Sequence, residues 1–484
     1  MTATHYLLAH DLGTTGNKAT LFNATTGLAC AAVFESYPAA YLHPNWAEED
    51  PMDWRTAIYA GTRRLLDQAQ IPASAIAAVS FSGTMNGAVF LDAAGEPTRP
   101  AMLWADQRAM AEAEHLGAAC GFEAVYRRTG HRASASYTAA KALWVKRHQP
   151  EVYARTRWIV QAKDYAAMTL SGVIATDLSD ASGTNLFNLE ARTWADDIIQ
   201  AIGLDAAMLP PVHPSATVIG QVTRKAATLT GLVAGTPVVI GAGDGACATV
   251  GSGVVGAGDA YTYIGSSAWI ATALERPLYD PLMRTFTFVH PDPRLYFAVG
   301  AMQSAGGSLD WLVAAEPPGA HGLLFLPHLL GERSPHWNPL ARGAFVGLSM
   351  AHGRAAVSRA VLEGVAFNLR AILDAFRAQE DIAAMRVIGG GARSAVWRQI
   401  LADVYGVPVL RPQLLGEATS FGAAITAGVG VGLYDGFEVA RRFVHTDQTE
   451  QPDPAHHAAY DTVYALFQDA YRALEPLFPR LNAL

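Results

Sequence analysis

Apolar runs of strand length alternate with polar turns from the start of the chain. Residues 6–10 are almost wholly apolar, residues 11–16 (Asp-Leu-Gly-Thr-Thr-Gly) contain turn formers, and residues 18–22 resume an extended pattern. This order predicts a β-hairpin with a small, hydroxyl-rich tip.

A second unit of the same kind lies near the middle of the chain. Residues 260–264 have a strand pattern, Gly265, Ser266 and Ser267 form a small polar turn, and residues 268–272 again have a strand pattern. Two such hairpins indicate either an internal duplication or two unrelated turns, and the pattern alone leaves both interpretations open.

Elsewhere strand patterns alternate with helical ones. Residues 385–388 predict a buried strand, and residues 356–376 and 395–405 predict helices. Alternation of this kind is typical of α/β domains. The glycine-rich stretch that follows residue 250 marks the expected boundary, so we predict an N-terminal domain at 1–250 and a C-terminal domain at 251–484.

Composition narrows the functional classes. The formal net charge is −8, and there is no long run of Lys and Arg, which argues against nucleic-acid binding. The three cysteines include no CxxC pair, and no apolar stretch reaches membrane-span length or resembles a leader peptide. We therefore expect a cytoplasmic protein without a membrane or nucleic-acid partner.

The first hairpin carries candidate phosphate chemistry. Gly13 and Gly16 let backbone N–H groups approach a phosphate, Thr14 and Thr15 offer hydroxyls, and Asp11 ends a strand where a carboxylate can hold hydrated Mg²⁺. The alternative is an ordinary hairpin turn whose aspartate accepts turn hydrogen bonds. The sequence contains no Gly-x-x-x-x-Gly-Lys-Ser/Thr loop, so a P-loop protein is excluded.

Three interpretations compete at residues 241–246, Gly-Ala-Gly-Asp-Gly-Ala. The segment follows an apolar strand and fits a dinucleotide-binding fingerprint, with Asp259 downstream, which favours an NAD-dependent oxidoreductase. Alternatively, Asp244 is a general base that takes the proton of a substrate hydroxyl, or simply a helix cap.

Further segments favour ligand binding less specifically. Between a strand and a helix lie Gly389, Gly390 and Gly391, where adenosine could lie against the backbone, although taken alone they are better explained by a tight strand-to-helix turn. Apolar strands precede Met85, Asn86, Trp104 and Asp106. These side chains suit a sugar, because aromatic faces and polar side chains bind sugars. A tryptophan at the end of a strand is nonetheless more often a core residue. The stretch around Arg333 has no metal-ligand spacing, and we interpret it as structural.

In order and spacing these segments together resemble the FGGY carbohydrate kinases, and most closely the xylulokinases among them. The resemblance covers nearly the whole chain. It is carried by residues 11–16, 103–106, 141–144, 163–165, 177–184, 243–244, 325–335, 359–365 and 389–394.

The resemblance implies an α/β fold of two actin-like, ribonuclease-H-like ATPase domains, with ATP and a sugar in the cleft between them. It implies that Asp244 is the catalytic base and that Asp11 and Asp244 hold Mg²⁺. The residues expected at ATP are Thr14, Thr15, Lys18, Gly265, Ser266, Gly306, Gly390, Gly391 and Arg393. Those expected at the sugar are Met85, Asn86, Trp104, Asp106 and Trp269.

Departures from the xylulokinase pattern concern the sugar. Xylulokinases usually carry Gln, His, Asn and Asn where this sequence has, in the same order, Thr84, Asn86, Ala105 and Gly245. Several polar side chains are therefore lost or shortened. The expected reaction is ATP-dependent phosphorylation of D-xylulose to D-xylulose 5-phosphate, with another ketose, a polyol or an aldonate as alternative substrates. A non-catalytic sugar sensor would need a DNA-binding segment, which the sequence lacks before the first hairpin. A homodimer is compatible with the helical C-terminus.

Overall fold

The computed structural model describes residues 5–43, 45–265, 267–302, 317–413 and 416–483. Its core is two seven-stranded mixed sheets, one in each half of the chain, with helices packed against them. This confirms the expected α/β architecture of two similar domains.

The strands are, in chain order, β1 (Tyr6–Gly13), β2 (Gly16–Asn23), β3 (Ala29–Ser36), β4 (Glu48–Glu49), β5 (Ile76–Gly83), β6 (Val89–Leu91), β7 (Ala101–Met102), β8 (Trp158–Val160), β9 (Thr176–Asp177), β10 (Phe187–Asn188), β11 (Thr193–Trp194), β12 (Val212–His213), β13 (Val218–Gln221), β14 (Pro237–Val239), β15 (Ala242–Gly243), β16 (Ala260–Ile264), β17 (Ala268–Leu274), β18 (Phe286–Val289), β19 (Tyr296–Met302), β20 (Leu324–Leu326), β21 (Ala344–Val346), β22 (Met385–Ile388), β23 (Val409–Pro412) and β24 (Thr446–Glu450).

The α-helices are α1 (Pro51–Ala69), α2 (Met110–Cys120), α3 (Phe122–Thr129), α4 (Thr138–His148), α5 (Pro150–Arg155), α6 (Ala162–Ser171), α7 (Leu178–Ser182), α8 (Asp196–Ala201), α9 (Arg224–Thr230), α10 (Asp244–Gly251), α11 (Arg354–Arg377), α12 (Ala395–Tyr405), α13 (Ala418–Gly430), α14 (Ala440–Phe443), α15 (Pro454–Leu474) and α16 (Phe478–Asn482). Within the described ranges, no helix has the length and apolar character needed to cross a membrane.

The two sheets repeat one local topology. In the first, β1 pairs antiparallel with β2, β2 with β3, and β5 lies parallel to β1 on its other side. In the second, β16 pairs antiparallel with β17, β17 with β19, and β22 lies parallel to β16. The repetition favours internal duplication over two unrelated hairpins, because both hairpins occupy the same place in their sheets.

The first hairpin differs from its predicted boundaries in one respect. β1 runs on to Gly13 and β2 begins at Gly16, so only Thr14 and Thr15 form the turn. Asp11 therefore lies inside a strand, paired in register with Lys18 on β2 and Ser82 on β5. The strand extends because two neighbouring ladders, one on each side, satisfy its backbone.

One helix of the second half packs on the first sheet. α13 contacts β1 and β5, and its Phe421 and Ile425 share an apolar core with Leu7 and Phe22. α13 also crosses α10 at very short range, since a Cβ built on Gly422 would lie 1.9 Å from the carbonyl oxygen of Cys247. Glycine is required at this crossing because any side chain would meet backbone.

Candidate active site

Two polar strand ends meet at one edge of the first sheet. Asp11 lies near the end of β1, where its Oδ1 accepts a hydrogen bond from the Ser82 hydroxyl at 2.7 Å. Its Oδ2 accepts one from the Thr419 hydroxyl at 2.5 Å, across from α13. The two hydroxyls hold the carboxylate in place, at the carboxyl edge of parallel strands where α/β sheets bind ligands.

Asp244 is the first residue of α10, immediately after β15, which pairs with the end of β5. The Gly245 N–H donates to its Oδ1 at 2.7 Å. Burial raises the pKa of Asp244 to about 7, and the nearby negative charge of Asp11 adds to the rise. The carboxyl group is thus poised to exchange a proton near neutral pH, as a general base requires.

Asp244 faces a cavity of about 250 Å³ that both domains line. The N-terminal half contributes Gly13, Thr14, Thr84, Met85, Asn86, Trp104, Asp244 and Gly245. The C-terminal half contributes Ser267, Trp269, Phe286, Phe288, Phe297, Val299, Ala301, Met302 and Arg333. The cavity therefore brings together four of the five residues predicted at the sugar.

The wall from the second sheet is mostly apolar. Phe286 pairs in register with Val299, and Phe288 with Phe297, so these four side chains point to the same face. Trp269 adds an aromatic surface, with its indole N–H donated to the Tyr261 hydroxyl at 3.0 Å. Such a wall accepts the C–H face of a small ligand but offers it few hydrogen bonds.

Asn86 borders this cavity and carries a buried oxygen, Oδ1, without a hydrogen-bond partner among the described residues. Its backbone φ is +65°. The buried ammonium of Lys141 donates to the backbone carbonyl of Asn86 at 3.1 Å and orients this turn. Oδ1 lies against Gly183, since a Cβ built on that glycine would be 2.6 Å away, so its contact with a sugar stays a prediction.

Trp104 lines the cavity, but Asp106 does not. Asp106 is fully buried, its Oδ2 lies 2.6 Å from the Arg108 guanidinium, and the same oxygen accepts the Ala47 N–H at 2.8 Å. The structure thus gives Asp106 a structural ion pair, and its contact with a sugar stays a prediction.

The second hairpin and the Gly389 loop lie side by side. A Cβ on Gly389 would lie 2.6 Å from the Ile264 carbonyl oxygen, and one on Gly391 would lie 2.5 Å from the Ile264 side chain. Gly390 faces open space and Arg393 is exposed. Gly265, next in the chain to Ile264, and the loop thus form one glycine-rich surface, although contact with ATP stays a prediction. Ser266 and Gly306, also predicted at ATP, lie outside the described residues.

The first hairpin is tied to the second half of the chain. Thr15 is exposed and Thr14 borders the cavity. The Lys18 ammonium lies 2.5 Å from the Glu417 carboxylate, which precedes α13. Phosphate binding by Lys18 therefore requires it to leave or share this ion pair.

The donor set suits Mg²⁺ bound together with phosphates. Within the described residues no three His, Cys, Asp or Glu side chains cluster as metal ligands. Asp11 and Asp244 are close enough for the charge of one to raise the pKa of the other. Two carboxylates are what Mg²⁺ uses when waters and phosphate oxygens complete its shell.

Arg333 is the functional candidate that the sequence interpretation missed. It borders the cavity, and its guanidinium lies 5.2 Å from the Phe286 ring centre. Its neighbour Glu332 does have the expected structural role, since it accepts a hydrogen bond from Asn368 at 3.0 Å. The family-like segment around Arg333 was the available signal, but only the fold shows which of its side chains faces the cavity.

The geometry gives no support to the dinucleotide fingerprint. Asp259, the predicted ribose ligand, lies 2.6 Å from Arg441 and 3.5 Å from Arg386. Its Oδ2 also accepts the Gly256 N–H at 3.0 Å. The carboxylate is thus occupied by internal partners.

Comparison with known proteins accounts for the whole arrangement. Residues 6–251 match the N-terminal domain of the FGGY family of carbohydrate kinases, and residues 260–431 match the C-terminal domain. The xylulose kinase of Bacillus subtilis (strain 168) is 31% identical over 99% of both chains, and that of Escherichia coli (strain K12) is 34% identical over 96% of this chain and 99% of its own.

The crystal structure of a gluconate kinase from Lactobacillus acidophilus superposes with a TM-score of 0.93 at 27% identity, covering 99% of this chain and 100% of its own. Family membership replaces the oxidoreductase hypothesis with phosphoryl transfer, for which carbohydrate kinases of this family use ATP. With matches over both halves of the chain and the expected two-domain fold, this protein belongs to the FGGY family of carbohydrate kinases.

Proposed function

We propose that this kinase transfers the γ-phosphate of ATP to a hydroxyl of a ketopentose, with D-xylulose as the first candidate. The observation that carries the proposal is Asp244, whose pKa lies near 7 in a cavity lined by both domains. Relatives named xylulose kinase, which match nearly the full chain, support the choice of sugar.

The proposed reaction consists of one proton transfer, the formation of one P–O bond and the cleavage of another. The Asp244 carboxylate accepts the proton of the substrate hydroxyl, and the oxygen then bonds to the γ-phosphorus of ATP. The bond from that phosphorus to the β,γ-bridging oxygen breaks, and ADP leaves. Asp11 and Asp244 would hold Mg²⁺, which neutralises phosphate charge, while Thr14 and Gly265 would position the phosphates from opposite hairpins.

An aldonate is the second candidate, and Arg333 is the reason. Among the described residues that line the cavity, Arg333 is the only Lys or Arg. No described Asp or Glu side chain forms an ion pair with its guanidinium. A substrate carboxylate would form a charge-assisted, bidentate pair with its guanidinium. The gluconate kinase that shares this fold is consistent with such a substrate.

Asp244→Asn tests the assignment of the base. We expect sugar phosphorylation to fall roughly 10²–10⁴-fold while ATP still binds, because general-base catalysis contributes that much. Asp259→Asn is the control, since its carboxylate is engaged away from the cavity. Near-normal turnover by Asp244→Asn would refute the assignment.

A substrate panel tests the sugar. ADP release should be measured with D-xylulose, other ketoses, polyols and gluconate, for the native chain and for Gly245→Asn. A Cβ on Gly245 would lie 3.6 Å from Met85 Sδ and 3.9 Å from Phe297, so the backbone position accommodates a Cβ without a clash. We expect Gly245→Asn to improve kcat/KM for xylulose by supplying a missing hydrogen-bond partner. A higher kcat/KM of the native chain on gluconate than on every ketose would overturn the xylulose proposal in favour of the aldonate.

A further inference from the structure

A buried cluster of four ionisable groups lies close to the segment that carries Asp244 and has no part in the chemistry described above. The Lys163 ammonium lies 2.5 Å from Asp164 Oδ1, 2.9 Å from Asp177 Oδ1 and 3.2 Å from Asp180 Oδ2. All four side chains are at most 1% exposed. Burying so many charges is costly, and such clusters can serve to fix one conformation.

The cluster reaches the catalytic segment through one serine. Asp177 Oδ2 accepts hydrogen bonds from the Ser179 hydroxyl at 2.7 Å and from the Ser215 hydroxyl at 2.6 Å. The Ser179 Oγ in turn accepts the backbone N–H of Gly243 at 3.1 Å. Gly243 directly precedes Asp244, so a single residue separates the network from the catalytic carboxylate.

The direction of these hydrogen bonds follows from the chemistry of the groups. A serine hydroxyl has one proton, and a carboxylate oxygen can only accept, so Ser179 donates to Asp177 and offers its lone pair to Gly243. The Lys163 ammonium lies 2.9 Å from Oδ1 of the same carboxylate, the oxygen that Ser179 does not contact. The chain of contacts is therefore ordered from the ammonium to the Gly243 peptide.

The hydrogen bond between Ser179 and Gly243 lies at the turn from β15 into α10. Gly243 ends β15 and caps α10, and the Asp244 side chain projects into the cavity from the first position of that helix. A Cβ on Gly243 would lie 2.4 Å from Met85 Cγ, so the turn is closely packed on its other side. Ser179 and Met85 thus hold the turn from two directions.

We propose that Ser179, held by Asp177 and Lys163, is a positioning residue that fixes the β15–α10 turn and aims the Asp244 carboxylate at the substrate hydroxyl. The inference rests on the proposed role of Asp244 as base. Small displacements of reacting groups are costly, since a shift of about 1 Å can reduce the rate on the order of 100-fold.

Ser179→Ala and Ser215→Ala form a matched pair. Each removes one hydroxyl donor from the same oxygen of Asp177, but only Ser179 contacts Gly243. We expect similar losses of Tm in both variants. We expect kcat to fall about tenfold or more in Ser179→Ala alone, with the KM values for ATP and sugar nearly unchanged.

Equal kcat values in the two variants, whether both native-like or both reduced, would overturn the proposal, because a purely structural role predicts no difference between them. If Ser179→Ala does not fold, Ser179→Cys keeps the volume but accepts the Gly243 N–H poorly, and the same comparison is made with it. Asp244→Asn is measured in parallel. Near-normal activity of Asp244→Asn refutes the base itself, whereas an inactive Asp244→Asn with native-like kcat in Ser179→Ala refutes only the positioning role.

Discussion

Replacing Asp244 by Asn should stabilise the folded protein, and the gain should grow with pH. Burial and the charge of Asp11 raise the pKa of Asp244 from 3.8 to about 7 in the folded chain. Between these two values the folded state holds a proton that the unfolded state has lost, so stability falls as the pH rises through this interval. Asn carries no charge and can keep the hydrogen bond from the Gly245 N–H.

The size of the expected stability gain follows from the rise in the pKa of Asp244. About three pKa units at about 1.36 kcal/mol each correspond to roughly 4 kcal/mol at pH 8, of which less than half is present at pH 5. For a domain the length of residues 6–251, an unfolding entropy of about 2.1 cal/mol/K per residue converts each kcal/mol into roughly 2 °C. We therefore expect Tm to rise by up to about 8 °C at pH 8 and by less than half of that at pH 5.

Differential scanning fluorimetry from pH 5 to pH 8, without nucleotide or magnesium, measures the gain. Asp259→Asn is the control and should lower Tm throughout, because it removes the contacts with Arg441 and Arg386. A gain for Asp244→Asn that is the same at pH 5 and pH 8, or a loss at pH 8, would show that the carboxylate carries no such electrostatic strain.

Two further substitutions probe packing and sugar binding. Gly422→Ala should lower the free energy of unfolding in urea by about 1–3 kcal/mol or more, because its Cβ would meet the Cys247 carbonyl. Gly353→Ala is the control and should not destabilise the protein, because the space around it is open. Equal stability of the two variants would contradict the helix crossing. Lys141→Met should raise KM for the sugar several-fold and leave KM for ATP unchanged, because the ammonium holds the Asn86 backbone; an unchanged sugar KM would refute that role.

The local elements could be predicted from the sequence, which also singled out the two aspartates that we propose to carry the chemistry. Predicted strands 260–264 and 385–388 and helix 395–405 coincide with β16, β22 and α12. Their apolar periodicity and flanking glycines are properties of short segments, which local steric and burial preferences determine. Asp11 and Asp244 stood out for the same reason, since each comes after an apolar run and has a glycine within two residues.

The composition of the site was decided by tertiary structure. The apolar wall exists because the register of β18 and β19 places Phe286 and Phe297 on one face, and Arg333 reaches the cavity from a segment that resembles a structural turn. Likewise, no local pattern relates Ser179 to Gly243, which are far apart in the chain and meet through a buried network. Short segments carry their own periodicity, but contacts between distant segments depend on packing and register that only the folded chain defines.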